Sequence, residues 1–142
     1  MINRRCLLLA VPVLASASLR AADGVSAGDA QAVRTLIEGQ LAAFARDDAV
    51  QAFAFAAPAI QAMFGTAERF LAMVRESYPV VYRPASVSFL LPEWIDGKLI
   101  QRVQMSDTAG APWLVVYEVE RQIDRSWRIA GCVAARGAGR ST

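Results

Sequence analysis

Residues 98–122 read KLIQRVQMSDTAGAPWLVVYEVERQ, and the spacing within this stretch decides the fold class. Leu99, Val103 and Met105 share one phase of an alternation; Ile100, Arg102 and Gln104 share the other. After the turn-forming run Asp107-Thr108-Ala109-Gly110, the pattern resumes. Trp113, Val115, Tyr117 and Val119 then face Leu114, Val116, Glu118 and Glu120 across the strand. A period of two with one apolar face marks half-buried strands. Upstream, Ala85–Trp94 is rich in Val, Phe and Leu and ends before Asp96-Gly97, a pair suited to a type I′ hairpin turn. Downstream, Asp124-Arg125-Ser126 turns the chain again. Ser126–Ala135 then sets Trp127, Ile129 and Val133 against Arg128, Ala130 and Cys132. The expectation is a four-stranded antiparallel meander whose apolar face needs a cover.

The preceding residues supply that cover. Ser26 with Asp29 resembles a capping box, and Val33, Leu36, Ile37, Leu41 and Phe44 recur at helical spacing. Asp47-Asp48 breaks the pattern and caps a second helix, Ala49–Ala56, where acids suit the helix N-terminus. Pro58 opens and Gly65 closes a short helical turn, with Ile60, Met63 and Phe64 expected inside. Thr66 caps a third helix, carrying Phe70, Leu71, Val74 and Tyr78 inward until Pro79 stops it. Helices followed by a meander give the α+β class.

Two arginines, Arg4 and Arg5, precede the apolar run Cys6–Leu14 and the small residues Ala15-Ser16-Ala17. That layout is a secretory signal peptide, expected to occupy residues 1–22. It is too short for a membrane anchor of about 20 apolar residues. Residues 23–142 then form one α+β domain, with 136–142 as a frayed Gly/Arg/Ser tail. The composition is globular, 55% hydrophobic and 20% charged. From Asp23 onward twelve basic and thirteen acidic side chains give a net charge of −1. A near-neutral domain offers no basic stripe for nucleic acid and no polybasic surface for anionic membranes. One cysteine, Cys132, remains after the leader, so no internal disulfide is expected. Without histidine to serve as its base, Cys132 reads as a core thiol.

The stretches Phe44–Asp48, Arg69–Val74, Val81–Pro84 and Ser126–Cys132 resemble domain-of-unknown-function family 4864, a group of small exported proteobacterial proteins. The resemblance covers roughly Asp29–Val133. More broadly, the order of elements is similar to the nuclear transport factor 2-like (cone-shaped, cystatin-like) superfamily, with helices packed on a curved sheet. A strand that this superfamily carries after the second helix is missing here, since Phe55–Ile60 contains Pro58 and reads as helical. What the resemblance implies is an exported domain, periplasmic or secreted from a Gram-negative bacterium. The 4864 family brings no assigned activity.

No motif specifies a chemistry. Histidine is absent, and no metal-ligand spacing, phosphate loop or nucleophile elbow occurs. No cofactor or metal is expected. The leading expectation is non-catalytic binding of a small apolar ligand or a protein partner, in a cone lined by Met105, Trp113, Tyr117 and Trp127. The same aromatics suit an ordinary core better still, since aromatics on the inner face of a small sheet usually pack there. The alternative, implied by the superfamily, is an isomerase or dehydratase using Asp47 or Asp48 as base with Tyr82 or Tyr117 as donor. The outer face of the sheet mixes Ile100, Leu114, Val116, Ala130 and Cys132 with charged residues. That mixture suits a homodimer through the sheet, with Glu118 paired to Arg102 or Arg128.

Overall fold

A computed structural model describes residues 24–137. The leader assigned to residues 1–22, and all of the tail beyond Gly137, lie outside the described residues. Five helices precede five strands: α1 (Ala27–Ala45), α2 (Ala49–Ala54), α3 (Pro58–Phe64), α4 (Ala67–Ser77) and α5 (Pro79–Tyr82), then β1 (Ser86–Phe89), β2 (Glu93–Ile95), β3 (Lys98–Ser106), β4 (Pro112–Arg121) and β5 (Trp127–Arg136). Among the described residues no helix is long and apolar enough to cross a membrane.

The caps expected from sequence are in place. The hydroxyl of Ser26 accepts the Asp29 N–H at 3.1 Å, and the Asp48 carboxylate accepts the Gln51 N–H at 3.1 Å. Thr66 accepts the Arg69 N–H at 3.3 Å, and Gly65 ends α3 with φ +75°. Each such cap satisfies an amide that the first helical turn leaves open. Pro79 stops α4 and also begins α5, because proline's fixed φ suits a first helical position.

All strand pairs are antiparallel, in the order β1-β3-β4-β5, with β2 also paired to β3. The sheet therefore has five strands rather than the expected four. Run 85–94 is split in two: Phe89 pairs with Val103 and Glu93 with Ile100, while the residues between them leave the ladder. Pro92 lies in that gap, and a residue without an N–H is tolerated only at an edge. The side chain of Gln101 fills the gap, donating to the carbonyls of Leu90 at 2.7 Å and Arg102 at 2.9 Å. Asp96 and Gly97 take positive φ, 50° and 77°, as the expected I′ turn requires.

A second departure lies in β5. Glu118 pairs with Gly131 and Val119 with Ile129, so Ala130 is an extra residue, a β-bulge. Beyond it every side chain changes face. Val133, expected inside, is 64% exposed, whereas Cys132, which the alternation set on the outer face, packs against the core as its reading as a core thiol had it. The bulge also marks the one place where the second helix's exit meets the sheet. Ala56 forms a single parallel bridge to Ile129, where the sequence reading had no strand.

The core joins Val33, Ile37 and Phe44 of α1 to Leu99 and Val103 of β3 and to Val115 and Tyr117 of β4. On the outer face Glu118 pairs with Lys98 at 3.2 Å and Arg102 with Glu93, not with each other. Ile100 lies opposite Glu93 on β2 and Glu118 on β4, with Lys98 and Arg102 two residues to either side, so each acid takes a different cation. Gly39 lies mid-helix, where glycine is about 1 kcal/mol worse than alanine. A Cβ there would stand 2.9 Å from the tip of the Phe55 ring. Gly39→Leu should therefore lower stability by roughly 1–3 kcal/mol through overpacking. Urea unfolding checks this, and a wild-type midpoint would show that Phe55 moves aside freely.

Candidate functional site

A cavity of about 280 Å³ lies between the helical layer and β5. Its helical wall follows from spacing: Phe70, Met73 and Val74 fall three and four apart on α4, and Ile60 and Phe64 fall four apart on α3. Phe70 is the hub, with ring centroids 6.0 Å from Phe44, 5.4 Å from Phe53 and 5.6 Å from Phe64. The sheet wall is Ile129–Cys132, bulge included. Met63, expected inside, is 75% exposed and stands at the rim. On this seven-residue helix Phe64 is half-buried and packs against the core, while Met63 beside it is left mostly to solvent.

The polar groups at this cavity are few. Gln40 is buried and donates its amide to the Ala52 carbonyl at 3.1 Å, tying α1 to α2. Burial pushes the Cys132 thiol up to about 12, so it is protonated at neutral pH and a poor nucleophile. Among the described residues no carboxylate, lysine or arginine lines the wall. Such a lining binds by shape and apolar contact, and supplies no general base.

The residues singled out from sequence are dispersed. Asp47 and Tyr82 do meet: the Tyr82 hydroxyl donates to Asp47 Oδ1, and Arg83 donates to Asp47 Oδ2 at 3.1 Å. The Arg83 guanidinium also lies 4.8 Å from the Tyr82 ring centroid. These contacts hold Asp47, with φ +54°, at the corner between α1 and α2 and tie it to the end of α5. The cluster is half-exposed and none of its members lines the cavity. Asp48 faces the other way as the α2 cap. Arg83 was not foreseen, because its contact to Asp47 spans thirty-six residues.

Met105, Tyr117 and Trp127 are buried in the core, while Trp113 is half-buried near the sheet's end. The Trp113 indole N–H donates to Asp107 Oδ2 at 2.9 Å, a bond that holds the Asp107 carboxyl below its usual range. The Tyr117 hydroxyl is buried with no hydrogen-bond partner among the described residues. Burial, and then the neighbouring Cys132, push it well above its usual value. Gln40 and Gln101 went unremarked in the sequence although each carried a signal. Gln40 falls on the α1 stripe, four after Leu36 and four before Phe44, and Gln101 lies between Leu99 and Val103. A polar amide at an apolar phase marks a buried residue whose hydrogen bonds are specified.

Cys132 gives a pH dependence with a definite sign. An unfolded thiol ionises near about 8.5. The folded thiol holds its proton up to about 12, so its contribution to stability is intact below the lower value and lost as pH rises towards the upper one. Wild type should lose up to about 1.4 kcal/mol per pH unit through this group in that window, a slope that Cys132→Ala removes. Urea unfolding from pH 8 to 11 checks it, and parallel curves would place the thiol in water. Native Cys132 should also react slowly with a thiol reagent at pH 8, and quickly once denatured.

Comparison with known proteins gives one match. None of the curated proteins and none of the solved structures matches the chain significantly. The family described as domain of unknown function DUF4864 matches residues 26–142, which hold every helix and strand described above. The chain belongs to the DUF4864 family.

Proposed function

We propose that this protein is an exported, non-catalytic binding domain whose cavity takes a small apolar molecule or an apolar side chain of a protein partner. The observation that carries this reading is the cavity wall: phenylalanine, methionine and aliphatic side chains around about 280 Å³, with no carboxylate among them. Helices packed on one face of a sheet bent by the Ala130 bulge support a nuclear transport factor 2-like cone as the finer description of the fold. The bridge of Ala56 to Ile129 supports the same description, since that superfamily carries a strand after its second helix.

The alternative, an isomerase or dehydratase, is supported by the Asp47–Tyr82 contact. That pair lies half-exposed at a helix corner and lines no part of the apolar cavity. A second copy of the chain is a further partner. Arg102, Val116 and Val133 form one cross-strand row on the outer face, with two aliphatics adjacent beside an ion pair. Light scattering should show a dimer that Val116→Asp dissociates; a monomer at tens of micromolar would end that part of the proposal.

Indole tests the cavity itself. Burying on the order of 150 Å² of apolar surface gives about 4 kcal/mol, a millimolar dissociation constant. Indole should shift the methyl resonances of Met73 and Ile60, and Ile60→Trp, which fills the space, should abolish the effect. Asp47→Asn and Tyr82→Phe should leave it unchanged. Shifts confined to the neighbourhood of Asp47 would instead favour the enzyme.

A further inference from the structure

Only part of the outer edge of β5 is used. The Gly137 N–H donates to the Pro112 carbonyl at 2.9 Å, which fixes the phase of the ladder. In an antiparallel pair, alternate residues turn both backbone groups towards the neighbour. Gly131, Val133 and Ala135 therefore face β4, while Cys132, Ala134 and Arg136 turn their N–H and C=O groups to the free side. Upstream of the bulge Ile129 also faces that side, and there the edge is occupied. Its N–H donates to the Phe55 carbonyl at 2.9 Å, and its carbonyl accepts the Ala57 N–H at 2.8 Å. Among the described residues no segment continues this pairing along Cys132–Arg136.

Exposed edges are ordinarily blunted by short strands, proline or charge. The opposite edge has these devices: β1 and β2 are four and three residues long, with Pro92 between them. Residues 130–135, Ala-Gly-Cys-Val-Ala-Ala, carry neither charge nor proline. This same backbone supplies the sheet wall of the cavity at Ala130–Cys132. A strand laid along the edge would turn alternate side chains to the helical side, beside that cavity.

We propose that the β5 edge docks an extended peptide segment of another protein, which adds as a strand along Cys132–Arg136 and places one large apolar side chain in the cavity. This rests on the cavity's being a binding site and names its occupant. The partner needs a large residue because the side chains that β5 itself turns inward, Cys132 and Ala134, are too small to fill about 280 Å³. Pairing between two copies of β5 would leave the space empty. Backbone hydrogen bonds would supply most of the affinity, and the cavity the choice of side chain.

The probes are capped synthetic heptapeptides in which four threonines alternate with valine, a central residue and valine, the central residue being leucine, phenylalanine or aspartate. On the mature domain, the leucine and phenylalanine peptides should slow hydrogen exchange at the Cys132 and Ala134 amides, and the aspartate peptide should not. Ala134→Pro removes an outward N–H and leaves the bonds to β4 intact, so it should weaken peptide binding about tenfold, one hydrogen bond's worth. Indole binding should survive that substitution. If Ala134→Pro does not fold, amide protection in the wild type decides alone. Peptides that protect neither amide while indole still binds would overturn this inference and leave the cavity reading standing. Loss of indole binding by wild type would sink the cavity reading itself. Protection of the same amides by self-association, without peptide, would assign the edge to a second copy and overturn the proposal.

Discussion

β3, β4 and β5 turn a largely apolar face, interrupted by Gln101 and by the Ala130 bulge, towards the helical layer, which removes it from water. Val33 and Ile37 on α1, and Leu99, Val103 and Val115 on the sheet, have no solvent exposure. Each such residue contributes roughly 1.5–3 kcal/mol by leaving water, so the helices and the sheet depend on one another for stability. Neither layer could bury its stripe alone. The remaining features follow from fitting five helices to one twisted sheet.

That fit is imperfect at two places, and both carry consequences. Gly39 lets the Phe55 ring lie against α1, which brings the exit of α2 down to the sheet at Ile129. Ala130 then adds a residue to β5 exactly where this contact ends, and the strand bends. Bulges increase local twist and re-aim side chains. Here the bulge turns Cys132 inward beneath α3 and α4 and opens a gap between strand and helices. The cavity is that gap, closed on the helical side by the rings around Phe70.

Buried polar groups show how tightly the layers are specified. Gln40 and Gln101 each spend an amide on a backbone carbonyl that no regular ladder satisfies, Ala52 at a helix end and Leu90 beside the Pro92 break. An unmet carbonyl in either place would destabilise the fold by about 1–3 kcal/mol. Tyr117 is the exception, its hydroxyl buried beside Cys132 without a partner among the described residues. The Asp47–Tyr82–Arg83 cluster is of another kind, since its half-exposed charges are screened by water. It fixes a corner and leaves the core's energetics to apolar contact.

Local chemistry was legible in the sequence. Caps at Ser26, Asp48 and Thr66, the stop at Pro79, the Asp96-Gly97 turn and the alternation from Leu99 to Val119 each depend on residues within a few positions, and the chain alone determined them. So were the α+β class and the DUF4864 family. Tertiary structure decided whatever depends on residues far apart. Nothing near Ala130 announces a bulge, because whether a strand carries an extra residue is settled by its register with β4. The phase of Val133 and Cys132 was therefore wrong from sequence and right only in the sheet. The break at Pro92 was missed for the same reason: Gln101, eleven residues from Leu90 in sequence, reaches across to the Leu90 carbonyl that the break leaves without a ladder partner. The cavity lies where α3 and α4 meet β5 around its bulge, and no periodicity within one element reports the distance between two. Alternation fixes which side of a strand a residue faces, but only packing across the layers decides whether that side meets a neighbour or a space.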